Sequence, residues 1–368
     1  MWVSRSSFVR SFERKKRRRA DRMAAWSLGV MALVLGCRDP SPPLTAEADI
    51  EPLVEDTSPS VEPVPPPRTS TRDEASIATG PRLRVLGVAQ DAGVPQLGCR
   101  CPRCERARAK GDGSFAASIA LANPDGHVYL FDASPDIRDQ LPLVRSLLNV
   151  DRRDAARVRR PVDGIFLTHG HMGHYAGLLQ LGFEAAHTDA IPVFGTPRMV
   201  ELLSTQAPWS QLVEKQEIAV HTLTENMPTQ VGDVTVRAVT VPHRAEFTDT
   251  VGYRIEGPRK TALYLPDVAR WEQVPKMPAL LAGVDLLLLD GTFYSGDELP
   301  GRDLSQIGHP LVTDSMARLQ SRVDSGALEV VFIHLNHSNP LLEEGSPARV
   351  EVTSRGFKVA ERGADFWL

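Results

Sequence analysis

Cysteine is scarce in this chain, with four in 368 residues. Three of them, Cys99, Cys101 and Cys104, crowd together, and an odd trio cannot all pair as disulfides. Net positive charge is lacking beyond residue 36, where acids outnumber Lys and Arg. Residues 1–36 hold nine Lys/Arg against two acids, so the remainder carries a net −11 while the whole chain carries −4. Phosphate backbones are bound through a basic footprint, so an acidic chain of this kind argues against nucleic acid as a partner. Long apolar runs are short too: the stretch 23–35 falls below what spans a bilayer comfortably. Histidine is rare, with ten in the chain. Yet His169, His171 and His174 stand within six positions. No internal repeat is visible. The rest is ordinary for a globular protein, at 42% hydrophobic and 24% charged residues.

The N-terminal part reads as a targeting segment. A basic run at 14–19, the apolar stretch 23–35 and the small Gly36 follow the order of a secretory signal. Gly36-Cys37 resembles a bacterial lipobox, which would put a lipid on Cys37 and tether an exported domain to a membrane on the periplasmic or cell-surface side. Residues 1–37 are therefore expected to be a signal peptide with lipobox. Residues 38–81 are rich in Pro, Asp, Glu, Ser and Thr and poor in large apolar side chains, so a disordered linker is expected. Residues 82–368 form the globular domain.

Within that domain the apolar run 162–167 predicts a buried strand, and 175–186 has helical length and composition. His169, His171 and His174 thus sit where a strand gives way to a helix. Neutral imidazole is the commonest metal ligand, and such sets suit catalytic zinc or iron. Three later strands end on similar chemistry. The strand 234–241 runs into Pro242-His243, 262–265 into Pro266-Asp267, and 330–333 into His334. Loops at strand ends gather into clefts. Taken alone, an Asp after a strand is usually a turn or cap residue. The spacing Cys99-x-Cys101-x-x-Cys104 resembles a zinc knuckle, which needs a fourth ligand from elsewhere; a redox pair or free thiols are the alternatives.

The order His169-x-His171-x-Gly173-His174 resembles the H-x-H-x-D-H signature of the metallo-β-lactamase superfamily. Gly173 stands where that family has aspartate. The resemblance implies His169, His171 and His243 around a first metal, Asp267 as the bridging carboxylate, and His174 and His334 at a second. Because the missing aspartate helps hold the second metal, that site is the less supported one. The stretch 86–96 followed by the three cysteines, together with 241–244, 251–257 and 334–337, is similar to the coenzyme PQQ synthesis protein B family over residues 82–368. A more distant likeness, to the phosphonate-pathway cyclic phosphodiesterases, implies that His337 completes a structural zinc site with Cys99, Cys101 and Cys104. It also implies that His309 donates a proton at the cleft. Asp290 closes an apolar strand and reads as a turn residue, a partner behind the site, or a substitute for the aspartate absent at 173.

Further strands are expected at 83–89, 118–122, 127–132, 191–194, 218–223, 250–255 and 286–289, and Asp91-Ala92-Gly93 as a turn. Helices are expected at 136–148, 197–205 and 309–319, a basic surface loop at 152–160, and a mixed tail at 350–360. Helices interleaved with two groups of strands suit an α+β fold, a metallo-β-lactamase-like four-layer αββα sandwich.

The chemistry expected is that of a metallo-hydrolase. One or two Zn, Mn or Fe ions in the active site would lower the pKa of bound water, and the hydroxide would attack a small phosphodiester, ester or amide. Asp267 and His309 are the catalytic candidates, and Arg244 and Arg302 candidate clamps on a substrate anion. The alternative that the resemblance brings is an iron- and oxygen-dependent hydroxylation in the biosynthesis of pyrroloquinoline quinone. A third is a non-catalytic binding module, which Gly173 keeps open. Expected partners are a small-molecule substrate and, through Cys37, a membrane; a homodimer is left open. His127, His187 and His221 are assigned no role.

Overall fold

The computed structural model describes residues 80–148, 159–274 and 276–368. The expected signal peptide, Cys37, nearly all of the linker and most of the 152–160 loop lie outside the described residues. Among the described residues no helix is long and apolar enough to cross a membrane.

The strands are β1 (Arg82–Gly87), β2 (Ser118–Ala122), β3 (Val128–Phe131), β4 (Gly164–Phe166), β5 (Ile191–Gly195), β6 (Ile218–Thr222), β7 (Thr229–Val231), β8 (Val234–Thr240), β9 (Val251–Glu256), β10 (Thr261–Leu265), β11 (Leu286–Asp290), β12 (Glu329–Ile333), β13 (Lys358–Val359) and β14 (Asp365–Trp367). The helices are α1 (Pro102–Lys110), α2 (Ile137–Val144), α3 (Met172–Tyr175), α4 (Pro197–Thr205), α5 (Trp209–Glu214), α6 (Met277–Leu280), α7 (Val312–Asp324) and α8 (Pro347–Ser354). One sheet has the order β14-β1-β2-β3-β4-β5-β6 and the other β13-β12-β11-β10-β9-β8-β7.

Alternation along the strands builds the layers. Successive side chains of a strand point to opposite faces. In β11, Leu286 and Leu288 face the core between the sheets, whereas Leu287 and Leu289 face the helices outside. Val331 and Ile333 of β12 divide from Val330 and Phe332 in the same way. In the other sheet Ile119 and Leu121 point inward, while Ala120 packs outward against residues of α2, α4 and α5. A strand needed on both faces has no room for a polar residue, so β11 reads as an unbroken apolar run. The layers are therefore α, β, β and α, as the sequence led us to expect. Aromatic rings fill the middle: Phe131 stacks on Phe166 at 5.1 Å and meets Tyr253 edge-on at 5.2 Å. Truncating a buried Phe of this kind costs about 3–5 kcal/mol.

Several element boundaries differ from those the sequence suggested. The segment 175–186 is not one helix: α3 is followed by a 3-10 turn, Ala176–Leu181. The chain is pressed against its neighbour there, since Gly177 N–H donates to Ala133 O and a Cβ on Gly177 would lie 2.0 Å from Ser134 O. The helix expected at 136–148 stops at Val144. The one expected at 309–319 begins only at Val312, leaving His309 in a loop ahead of Pro310. Strands β7 and β14 and helices α1 and α5 were not anticipated.

Strand direction positions the site. β10, β11 and β12 run parallel, and β8, antiparallel to β9 as is β10, points the same way. In the other sheet β1, β3 and β4 share a direction, because β2 runs antiparallel to both β1 and β3 and β3 is parallel to β4. The two sheets are joined where these strands end. Gln90 N–H donates to Leu335 O at 2.9 Å, and Leu335 N–H to Val88 O at 2.8 Å. The segments after β1 and after β12 thus lie side by side.

Candidate metal centre

Asp267, two residues past β10, is the hub. Its carboxylate is buried, with His174 Nε2 at 2.9 Å, His334 Nε2 at 3.2 Å, His243 Nε2 at 3.6 Å and His169 Nε2 at 3.8 Å. His169 Nε2 and His171 Nδ1 are 2.8 Å apart. The donor atoms of His169, His171 and His243 all lie within 4.8 Å of one another, and so do those of Asp91, His174 and His334. All six residues singled out as cleft ligands therefore converge, in two groups that meet at Asp267.

The imidazoles are held by the nitrogen that faces away from the cleft. His174 Nδ1 pairs with Asp132 Oδ2 at 2.8 Å, His334 Nδ1 with Thr292 Oγ1 at 3.0 Å, and His169 Nδ1 with Thr168 Oγ1 at 3.0 Å. His171 Nε2 meets Glu246 Oε2 at 3.0 Å. Such partners fix tautomer and ring orientation and leave the other nitrogen free to ligate. Asp132 also accepts from the backbone N–H of Thr168, at 2.8 Å, so one buried carboxylate organises the whole His motif. Asp132 and His334 both adopt left-handed backbone conformations, φ 69° and 63°. Such conformations in non-glycine residues concentrate at functional sites.

The residues present fit a bound cation. Both ring nitrogens of His243 are buried with no hydrogen-bond partner, and the buried Nε2 atoms of His174 and His334 face only the carboxylate of Asp267, so a cation would complete a donor set that is otherwise incompletely satisfied. The electrostatics point the same way. Burial would raise the Asp267 carboxyl, but the imidazoles of His334, His174 and His169 outweigh it and hold the group well below the usual carboxylate range. Burial, and then the neighbouring His174, push His169 well below the ordinary imidazole value, so it stays neutral and able to ligate. Burial opposes charge at His174 as well, yet the carboxylates of Asp132 and Asp267 outweigh it and favour a positive charge at that point, which a proton meets on the free ring and a bound cation would meet in its place.

His309 faces Asp267 from the other side, with Nδ1 3.5 Å from Asp267 Oδ1 and 2.8 Å from Asp290 Oδ2. Burial alone would lower it; Asp290 and then Asp267 raise it to about 9. Asp290 itself accepts from Val268 N–H and from Thr292, so it stands behind His309 and away from position 173. Two of the readings open for Asp290 are realised at once: it caps its own turn through Thr292 N–H and backs His309, and with both oxygens engaged there it does not stand in for the aspartate absent at 173. That space is filled from elsewhere. A Cβ on Gly173 would lie 2.2 Å from Asp91 Oδ1, which accepts from Gly173 N–H at 3.1 Å and lies 3.7 Å from His174 Nε2. Asp91, expected only as a turn residue, and Asp132 are the two site residues that sequence reasoning missed.

The second donor set is separate. His337 Nδ1 lies 3.6 Å from Cys99 Sγ and 3.8 Å from the sulfurs of Cys101 and Cys104. In tetrahedral zinc with ordinary bond lengths, sulfur and nitrogen ligands stand about 3.5 Å apart. These three nearly equal distances thus suit one zinc-sized cation. Burial raises the Cys101 thiol, but the Cys104 N–H and the His337 ring outweigh it and hold it at about 6.

The candidate clamps differ. Arg244 is exposed, pairs with Glu246 at 3.4 Å and passes 3.9 Å from where a Cβ on Gly308 would sit, at the cleft mouth. Arg302 is exposed on the loop ahead of His309. On the side of His171, reached through its partner Glu246, a cavity of about 510 Å³ is lined by Tyr175, Arg198, Trp209, Glu246 and Phe247 among others. The histidines left without a role have structural partners: His127 with Asp163, His187 with Glu217, and His221 stacked on Phe194.

Residues 127–358 match the family model described as a β-lactamase superfamily domain. The chain belongs to the metallo-β-lactamase-fold superfamily, in the branch of coenzyme PQQ synthesis protein B. A protein of that name from Methylorubrum populi is 32% identical over 306 residues, covering 76% of this chain and 97% of the relative. A crystal structure of Zn(2+)-bound PqqB from Methylobacterium extorquens superposes with a TM-score of 0.64 at 28% identity, covering 78% of this chain and all of that one. A diphosphatase from the PhnP family, with a TM-score of 0.54 and 21% identity over 78% of this chain and 97% of that one, shares the fold. In this superfamily member the H-x-H half of the signature is intact and its aspartate position is Gly173.

Proposed function

We propose that this protein is a metal-dependent hydrolase acting on a small phosphodiester, ester or amide substrate. One observation carries the reading: five imidazoles, four of them held from behind by Thr168, Glu246, Asp132 and Thr292, converge around the buried carboxylate of Asp267, with a carboxylate-backed imidazole, His309, beside it.

His169, His171 and His243 would hold one cation, His174 and His334 a second, and Asp267 both. Cations held there supply Lewis acidity and a bound water of near-neutral pKa. The rest of the chemistry falls to the chain. Asp132, Thr168 and Thr292 keep the ring nitrogens aimed, so little reorganisation is needed during reaction. His309, protonated at neutral pH because Asp290 and Asp267 face it, gives its proton to the leaving-group oxygen or nitrogen. The cavity on the side of His171 accepts the non-reacting part of the substrate, its Tyr175 and Trp209 rings offering flat apolar surface.

The kinship with coenzyme PQQ synthesis proteins favours a second reading: a factor in pyrroloquinoline quinone biosynthesis, with Fe(II) at the same histidines, oxygen as co-substrate for hydroxylating the precursor, and an added two-electron reductant that takes the second oxygen atom to water. Imidazole and carboxylate donors suit that metal as well. The two separate on one panel. Purified protein is loaded with Zn(II), Mn(II) or anaerobic Fe(II) and offered a generic phosphodiester, an ester and a lactam. Hydrolysis with Zn or Mn and no oxygen supports the hydrolase. No hydrolysis with any metal, together with oxygen uptake that needs the Fe(II)-loaded protein, a reductant and an added tyrosine-type phenol and that yields its hydroxylated product, would move the assignment to the second reading.

A further inference from the structure

We propose that Asp91, at the exit of β1, supplies the carboxylate of the second metal site that the H-x-H-x-D-H signature places at position 173. The inference deepens the metal reading above and rests on it.

Gly173 has no conformational reason to be glycine. It lies in the short helix α3, outside the left-handed region that glycine favours. Its reason is space. A Cβ at 173 would meet Asp91 Oδ1 at 2.2 Å and Asp91 Cα at 2.5 Å, distances that real Cβ atoms do not show. A side chain at 173 and the carboxylate of Asp91 therefore exclude each other. The glycine removes one acidic group, and the acidic group of another strand occupies the same place.

The topology delivers it there. β1 shares the direction of β4, so the residues after both strands emerge on one edge of the sheet. The backbone bonds between Gln90, Val88 and Leu335 lock the β1 exit against the β12 exit, one residue from His334. Asp91 consequently stands beside both His174 and His334, its donor atom within 4.8 Å of theirs. Those two side chains are 1% exposed, and their Nε2 atoms face Asp267 Oδ2 at 2.9 and 3.2 Å, so Asp91 would bring a second carboxylate to the same two donors. Carboxylates beside two buried imidazoles whose outer nitrogens are held by Asp132 and Thr292 make the donor chemistry of a divalent cation site. Capping the Gly173 N–H is a lesser role open to the same oxygen, and it can be told apart because it needs no charge.

The test uses the full chain as wild type, Asp91→Asn, Gly173→Asp and the exchange variant Asp91→Gly/Gly173→Asp. Each is titrated with Mn(II) by calorimetry, and spin coupling between neighbouring Mn(II) ions is read by EPR. Asp91→Asn keeps an acceptor for Gly173 N–H but loses the charge. Partners of metal ligands already change affinity by about 10–100-fold, so loss of a ligand's charge is expected to weaken the second cation by at least about 100-fold. The coupled EPR signal is then lost while the first cation and the cysteine-site zinc remain. Gly173→Asp alone, with both side chains competing, also loses it. The exchange variant regains it. An Asp91→Asn protein that binds the second cation like wild type overturns the proposal, as does a folded exchange variant that regains nothing, or a wild type with one cleft cation. If the exchange variant does not fold, Asp91→Asn decides alone. A wild-type cleft that takes no cation at all is a different result, because it removes the metal reading itself.

Discussion

His309 Nδ1 lies 2.8 Å from Asp290 Oδ2, and both side chains are buried at the edge of the metal cleft. A buried imidazole would ordinarily prefer to be neutral. Asp290 and Asp267 reverse that preference and raise it to about 9. The sign is definite: the proton is present below that value and is lost as pH rises through it. Removing the Asp290 charge lowers the value. Asp290→Asn should therefore move the alkaline limb of the kcat profile to lower pH. His309→Ala should lower kcat by about 10²–10⁴-fold on substrates with poor leaving groups. With a nitrophenolate leaving group, which departs without a proton, the loss should be much smaller. Equal losses on both substrate types would remove His309 from the role of general acid.

Asp132 gives a second prediction. It accepts from Thr168 N–H and Thr168 Oγ1 and faces His174 Nδ1, at 2.8, 2.9 and 2.8 Å. Asp132→Asn keeps the size but lets an amide compete for the ring nitrogen. Cation affinity at the His174 side should fall by about 10–100-fold. Titration calorimetry checks this, and unchanged binding would reduce Asp132 to a fold residue.

Much of this was legible because the chemistry lies along the chain in the order that strands deliver it. His169, His171 and His174 crowd together, and His243, Asp267 and His334 each follow an apolar run, so strand ends could be read as ligand positions. The layers were legible in β11, where two buried faces leave only leucines before Asp290. Asp91 and Asp132 were not legible. Each also ends a strand, but a lone Asp there looks like a turn residue, and only the pairing of the β1 exit with the β12 exit brings Asp91 to His174. The helix expected at 175–186 fails for a similar reason. Its composition is helical, but close contact between Gly177 and the 133–134 backbone draws the chain into a tighter turn.

The cavity on the side of His171 should set substrate preference. Tyr175 and Trp209 stack there with ring centroids 4.8 Å apart, and Arg198 and Phe247 line the same wall. Neither residue belongs to the donor sets, so their contribution is expected in uniform binding of the substrate's remote part. Trp209→Ala should raise KM several-fold, about 1 kcal/mol or more of lost contact, with kcat little changed. Initial-rate kinetics on two substrates of different bulk check this. A fall in kcat with KM unmoved would place the cavity outside the substrate path.

The cysteine site offers the last test, because of where its arms attach. Cys99, Cys101 and Cys104 follow the β1 exit that carries Asp91, and His337 follows the β12 exit that carries His334. One cation there ties together the two segments that shape the second half of the cleft. Cys101→Ser should first cost stability. A loss of about 3 kcal/mol would lower Tm by roughly 5 °C in a domain of this size. It should also weaken cation binding near His174 and His334 more than near His169, His171 and His243, since the latter hang from β4 and β8. Chelation of the wild type should give the same order, with the His174 side failing before the other. Elemental analysis against temperature, in wild type and Cys101→Ser, reads both effects. If the variant melts early but fills both halves of the cleft equally when folded, the cysteine site is a staple for the fold and has no part in aligning the second metal site.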